Sequence, residues 1–325
     1  YAGVGRLAFA LHADWGYMAE EISEAWAERA RRRQDIFDGF HFYSLDRETT
    51  RIAFSLELVA INYDYNENLW LEQQLKQKFA LKEAVVASCE SSQEEDQLST
   101  IGQHGAQLVD RLLEPGDIIG FSWGRAVRAL VETIPQASQS RQVICVPIIG
   151  GPSGKLESRY HVNTLTYSAA ARLKGESHLA DFPALLDNTL IRNGIMQSRH
   201  FKTISSYWEN LDVALVGIGS PAIRDGANWH AFYGSEESDD LNARHVAGDI
   251  CSRFYDINGI AVETNMNEKT LSIDIARLKQ VRYSVGIAIL RVELIAAYGN
   301  ILGWSLIVSA VSPELNEIFV RISRP

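Results

Sequence analysis

The sequence predicts an α/β fold built around a Rossmann-like parallel sheet. Beyond residue 80, short apolar runs alternate with amphipathic stretches in a repeated strand, loop, helix rhythm. The runs are continuous rather than alternating, as strands are when helices cover both faces of their sheet. A third observation concerns the loops: three strands end in glycine-marked segments, FSWGR, GGPSGK and VGIGSPAIRDG. Ligands of open parallel sheets bind beyond the carboxyl ends of the strands, so three such ends point to one shared crevice.

The elements follow in order. Residues 1–40 read as helical, with Leu7, Leu11, Met18, Ile22 and Trp26 at helical spacing and Gly16 breaking the run. Residues 51–62 alternate, placing Ile52, Phe54, Leu56 and Leu58 on one face of a half-buried strand. Leu71, Leu75 and Phe79, four apart, make 66–79 a helix that links the two parts or pairs with a second copy. EAVVAS is then a strand, and SCESSQEEDQLST, acidic and Ser-rich, reads as a loop before a helix through Leu108 and Leu112. Glu114-Pro115-Gly116-Asp117 turns into the strand IIGFS, and Trp123-Gly124-Arg125 opens a helix. QVICVPIIG is a strand, His161–Leu173 a helix, and DVALVGIG a strand.

The 325 residues suffice for a large core and two domains, and 46% hydrophobic with 22% charged residues is a globular balance. No apolar run reaches the roughly 18–20 residues that span a bilayer. The opening YAGVGRLAFALHADWGYMAEE is a poor signal peptide. Cys89, Cys145 and Cys251 lie far apart without metal-ligand spacing, and Cys145 and Cys251 sit in apolar contexts. Buried thiols fit a reducing compartment, so a cytoplasmic protein with no bound metal and no membrane contact is expected. The net charge of −10 argues against a polyanion-coated protein but leaves room for a small DNA-binding module on an acidic body.

The chemistry concentrates at the glycine loops. Gly150-Gly151-Pro152-Ser153-Gly154 is either a tight turn or a cradle whose exposed N–H groups receive an anion or a polyol. Ser122, Ser153 and Asn163 are candidate hydrogen-bonding groups, and Lys155, Arg125 and Arg224 are candidate charges or solvated loop residues. Gly217-Ile218-Gly219 is a fragment of a cofactor motif or a packing device. Trp123 stacks on a sugar ring or plugs the end of the sheet. Asp249 accepts sugar hydroxyls or caps a turn, and Asp256 reads as a turn residue. GxGxxG and GxxxxGK[ST] are both absent, so no nucleotide cofactor is expected.

FALKEAVV, LLEPGDIIGFSWGRAV, ICVPIIGGPSGK, VALVGIGSPAIRDG and AGDICSRFYDINGI stand in the order and spacing of SorC-type sugar-binding transcriptional regulators, which the stretch 61–288 resembles. The resemblance implies a helix-turn-helix DNA-binding domain over 1–60, a linker or oligomerisation helix over 61–80, and a sugar-effector domain over 81–325. It implies that the large domain resembles sugar-phosphate isomerases in fold, and that it binds sorbose or a related sugar or sugar phosphate. The effector contacts would be Ser122, Trp123, Gly124, Arg125, Gly150, Gly151, Ser153, Gly154, Lys155, Asn163, Gly217, Gly219 and Asp249. The partners would be operator DNA and further copies of the chain in a homotetramer. LHADWGYMAEEIS keeps Leu11, Gly16, Glu21 and Ile22 of the family's DNA-binding pattern, but Met18 and Ala19 replace its Thr-Gln. Seven Lys/Arg against ten Asp/Glu leave residues 1–60 at −3. DNA contact therefore rests on Arg29, Arg32 and Arg33, which share a helix face. The alternative is a sugar-phosphate isomerase or deaminase, but Asp249 has no evident acid–base partner, so a non-enzyme is expected.

Overall fold

The computed structural model describes residues 69–289, apart from 70, 71, 74, 78, 90, 92, 154, 220–232 and 234, together with a strand at 306–311. The chain divides into two units, Tyr1–Asp64 and Tyr65–Pro325. The expected helix-turn-helix domain, the strand over 51–62, and Arg29, Arg32 and Arg33 lie outside the described residues, as do Gly154 and Arg224. The described positions from 69 to 79 are helical, as their spacing predicts.

Among the described residues, seven strands form one sheet in the order β1-β9-β8-β5-β2-β3-β4. They are β1 (Ala84–Ser88), β2 (Ile118–Phe121), β3 (Ile144–Pro147), β4 (Glu176–Ser177), β5 (Val213–Gly217), β8 (Tyr283–Ala288) and β9 (Leu306–Val311). Every pairing in it is parallel. A separate antiparallel hairpin joins β6 (Gly248–Ile250) to β7 (Arg253–Tyr255). The helices are α1 (Glu94–Leu112), α2 (Arg125–Thr133), α3 (Val162–Leu173), α4 (Thr189–Gln197), α5 (Arg199–Trp208), α6 (Ser235–Ala243) and α7 (Ile275–Leu278).

The strand residues divide between two layers at period two. Ile119, Phe121, Val213 and Leu215 pack with Val109 of α1, Leu130 of α2 and Leu165 of α3. Ala214 and Val216 face the other way, onto Phe201, Ile204 and Trp208 of α5. The two-sided burial explains why these strands read as unbroken apolar runs. A smaller cluster of Tyr233, Leu241, Val246, Phe254 and Met266 lies beneath the hairpin.

Local chemistry sets the boundaries. Helix α1 begins at Glu94, inside the stretch expected to be a loop, because Glu94, Glu95 and Asp96 fill its first turn, where the helix dipole favours acids. In α4 and α5, Asn188 and Ser198 accept hydrogen bonds from the N–H groups of Ile191 and Phe201. The expected strand QVICVPIIG enters the sheet over Ile144–Pro147 alone. At the amino ends of the strands, the Asp117 carboxylate holds the Glu114 N–H at 2.8 Å and Arg282 at 2.6 Å. Asp212 takes the Ile118 N–H at 2.9 Å, joining β5 to β2.

Two helical glycines have opposite surroundings. A methyl group at Gly102 meets the Ala129 carbonyl of α2 at 2.5 Å, whereas one at Gly194 of α4 meets nothing within 4 Å. Gly194→Ala is therefore expected to gain roughly 0.4–1 kcal/mol, since it reduces the freedom of the unfolded chain. Gly102→Ala is expected to lose about 1–3 kcal/mol, because α2 must shift to admit it. Chemical denaturation of the two variants checks the opposite signs.

Candidate functional site

The chain runs outward from β2 through β3 to β4, then returns to lay β5 on the other side of β2. The carboxyl ends of β2 and β5 therefore flank a switch point, the place where open parallel sheets bind their ligands. Ser122 follows β2 directly and is 2% exposed. Its N–H donates to the Leu215 carbonyl at 3.0 Å, and its hydroxyl accepts the Gly217 N–H at 3.0 Å. Two of the glycine-marked strand ends thus meet through one serine.

Gly124 has φ +116° and its N–H donates to the Tyr160 carbonyl at 3.4 Å, bringing the segment before α3 to the same rim. That φ suits glycine and strains other residues. Trp123 packs between the main cluster beneath β5 and the cluster beneath the hairpin, so part of its ring fills the end of the sheet. Arg125 turns away from the crevice, with its guanidinium on Glu94 of α1 at 2.7 Å.

The GGPSG loop departs from the expected cradle. The Gly150 N–H donates to the Leu271 carbonyl at 3.0 Å, and the Gly151 N–H to the Phe182 carbonyl at 2.8 Å. Neither is an open donor. The two glycines permit close backbone approach instead: a side chain at Gly150 meets the backbone of Pro183 at 2.5 Å. Asn163 clamps the same neighbourhood, giving its amide to the Ala180 carbonyl at 3.0 Å and accepting the Ala180 N–H at 2.9 Å. Ser153, at φ +53°, and Lys155 are exposed further along the loop.

His161 was not singled out by sequence, yet it stands over this loop. Its Nε2 lies 3.0 Å from where a Gly151 side chain would begin. Its Nδ1 accepts the Asn163 N–H at 3.1 Å and so caps α3. The usual cap residues are Ser, Thr, Asp and Asn, so SRYHVNTL carried no cap signal.

Asp249 reaches the crevice from β6. Its backbone pairs with Gly219 in both directions, at 2.9 and 3.1 Å. A side chain at Gly219 would collide with the Asp249 carboxylate. That carboxylate accepts the Ser252 N–H at 3.1 Å, and the Tyr233 hydroxyl bonds the Ser252 hydroxyl at 3.0 Å. The hairpin turn it caps is strained: Cys251 and Ser252 have φ +54° and +57°, the left-handed region in which residues with side chains are uncommon. The Tyr255 hydroxyl, fully buried nearby, has no hydrogen-bond partner among the described residues. Asp256 is a turn residue, its carboxylate accepting the N–H groups of Asn258 and Ile260.

Comparison with known proteins gives four findings. Residues 63–291 match the family model described as "Putative sugar-binding domain". The chain is 86% identical over 230 residues to the sorbitol operon regulator of Klebsiella pneumoniae, covering 71% of this chain and 73% of that protein. The crystal structure of the full-length sorbitol operon regulator SorC from Klebsiella pneumoniae superposes with a TM-score of 0.76, at 66% identity, over 95% of this chain and 98% of that one. A deoxyribonucleoside regulator of Bacillus subtilis is 26% identical over 215 residues, 66% of this chain and 67% of that protein.

The protonation of Asp249 gives this site a measurable signature. Burial, the largest influence, pushes its carboxyl up to about 6 from the ordinary 3.8, against the Ser252 N–H and Tyr233 hydroxyl, which favour the charged form. Between about pH 4 and pH 6 the folded protein thus holds a proton that the unfolded chain has released. The resulting stability is present in full below that window and is lost as pH rises through about 6. Asp249→Asn removes this titration. The variant is expected to gain on wild type by up to about 1.4 kcal/mol per pH unit across the window. Glu72, also raised by burial, acts alike in both proteins and cancels. Denaturation at several pH values checks the prediction; parallel profiles would refute it.

Proposed function

The chain belongs to the SorC-type family of sugar-binding transcriptional regulators, and on that premise we propose that a sugar or sugar phosphate bound at the β2/β5 crevice controls its action on an operon. The observation that carries the site is the meeting of Ser122, Gly217, Gly219 and Asp249 at a topological switch point. In this reading Asp249 accepts ligand hydroxyls and Trp123 offers a ring edge. Gly150, Gly151 and Asn163 shape the neighbouring wall, while Ser153, Gly154 and Lys155 approach from the loop. Arg125, paired with Glu94, supports α2 rather than the ligand. The relatives named above are regulators and not enzymes, so the ligand is an effector that is released unchanged.

The ligand we favour is a hexitol or ketohexose, free or phosphorylated: sorbitol from the relatives' names, or sorbose, which the sequence resemblance implies. Operator DNA is read by a helix-turn-helix over 1–60 of a homotetramer in the cytoplasm. Among the described residues no helix is long and apolar enough to cross a membrane. The large domain is the isomerase-like fold put to sensing. Effector binding acts by favouring one of two arrangements of the subunits, and hence one spacing of the DNA-binding heads.

Two measurements test this reading. Thermal shift against sorbitol, sorbose and their phosphates should give a rise with one of them, worth about 2.7 kcal/mol at a hundredfold excess over Kd. Asp249→Asn should reduce that rise; no rise with any sugar would remove the effector site. For the DNA arm, neutralising Arg32 and Arg33 should weaken binding to all sequences alike. The slope of affinity against salt should flatten by roughly one unit for each phosphate that is no longer neutralised. A change in sequence preference instead would make these arginines base readers.

A further inference from the structure

His161 is placed where it serves two purposes with two different nitrogens. The backbone N–H of Asn163 donates to Nδ1 at 3.1 Å, so Nδ1 carries no proton. In a neutral imidazole the proton then resides on Nε2, which becomes a donor. Burial lowers the basicity of the ring, which favours the neutral form near pH 7. The ring is therefore held in one tautomer with one N–H directed away from the helix it caps.

Among the described residues the recorded hydrogen bond of the ring is at Nδ1, and the half-buried ring leaves the Nε2–H to water or a ligand unless the protein supplies a partner. The Phe182 carbonyl on this side already accepts the Gly151 N–H at 2.8 Å. The space into which Nε2 reaches is the one a Gly151 side chain would occupy, 3.0 Å from the nitrogen. Gly151 thus leaves room for the imidazole. The carbonyl of Tyr160, next in sequence to His161, accepts the Gly124 N–H at 3.4 Å, so the His161 segment adjoins the loop that follows β2.

We infer that His161 is an effector-contact residue, whose Nε2–H donates a hydrogen bond to an oxygen of the bound sugar while its Nδ1 caps α3. This rests on the sugar-effector reading above and deepens it. The site then carries a neutral donor at the end of β3 and a carboxylate acceptor at the hairpin. A polyol matches that pair, because each of its hydroxyls both donates and accepts. The oxygen that His161 meets is a hydroxyl or a phosphoryl oxygen; both accept from a neutral N–H.

The two nitrogens can be separated by substitution. Asn at position 161 retains an acceptor near the Nδ1 position and is among the best helix caps, but it lacks the distal donor. Gln places an amide N–H near the Nε2 position. Titration calorimetry of the full chain uses sorbitol, sorbose and the phosphate ester of each as probes. For whichever probe binds wild type, His161→Asn is expected to weaken binding roughly tenfold, the worth of one neutral hydrogen bond, while melting at or above the wild-type temperature. His161→Gln is expected to recover most of the affinity. The imidazole Nε2–H proton of wild type should also become protected from solvent exchange when the probe is added. A loss confined to the phosphorylated probes assigns the oxygen to phosphate, and an equal loss with free sugar assigns it to a hydroxyl. If a probe binds wild type and His161→Asn binds it equally well, the contact is refuted and the effector site stands. If affinity falls only together with melting temperature and Gln does not restore it, His161 is a cap alone and the inference is overturned. If no probe binds wild type, the effector reading fails and takes the contact with it.

Discussion

The hydrogen bond from the Gly217 N–H to the buried Ser122 hydroxyl holds the structure together where its topology would pull it apart. β2 and β5 are neighbours in the sheet but are reached from opposite directions, so the segments that follow them part company. Backbone pairing continues just past β2, where the Ser122 N–H still finds the Leu215 carbonyl. Two residues further along β5, at Gly217, the ladder has no strand left to offer on that side, and a side-chain oxygen completes it. Without that oxygen the N–H is left unsatisfied, at about 1–3 kcal/mol if water does not reach it. The same bond fixes the spacing between the loops that open after Phe121 and after Gly217. The crevice is therefore a consequence of strand order, and Ser122 sets its base.

The two ends of the sheet use polar groups differently. At the amino ends the charges satisfy one another: Asp117 binds Arg282 and the Glu114 N–H, and Asp212 binds the Ile118 N–H. Those contacts tie β2, β5 and β8 together. At the carboxyl ends several groups stay available or strained. The Tyr255 hydroxyl is buried without a partner among the described residues, and the hairpin turn holds two residues in the left-handed region. Buried polar groups are ordinarily paired, and strain gathers where function requires it.

What could be read from sequence follows from which forces leave a local trace. IIGFS and VALVG announced themselves because strands buried on both faces must be apolar throughout. The three glycine-marked ends drew attention to the carboxyl side of the sheet, whereas in GGPSG the N–H groups of Gly150 and Gly151 go to the chain itself. These glycines admit the backbone of 182–184, a long-range approach that leaves no local pattern. The start of α1 was hidden because an acidic, Ser-rich stretch resembles a loop until the helix dipole is considered. The β6–β7 hairpin was missed because its turn is Cys251-Ser252 rather than Asn-Gly, and the capping carboxylate that tolerates such a turn belongs to the preceding strand. His161 was missed because it caps with a ring nitrogen.

Asp249 joins these threads, since its contacts explain its position but not its charge. Holding the Ser252 N–H requires one oxygen acceptor, which an uncharged asparagine supplies equally well. The carboxylate instead sits beneath enough protein to raise its proton affinity, beside two buried phenols, Tyr233 and Tyr255, and against a glycine that must lack a side chain to admit it. A group selected for stability alone would be neutral in such surroundings, because burying a charge is costly unless it is fully bonded. The Ser252 N–H and the Tyr233 hydroxyl both favour its charged form, and a charged pair of oxygens has capacity for more donors than these two. Hydroxyl groups of a polyol are donors of the required kind, and they would strengthen the charged form by bonding to it. The cost of the buried charge and the strain of the turn thus fall at one point, where the hairpin pairs with Gly219 beyond the end of β5.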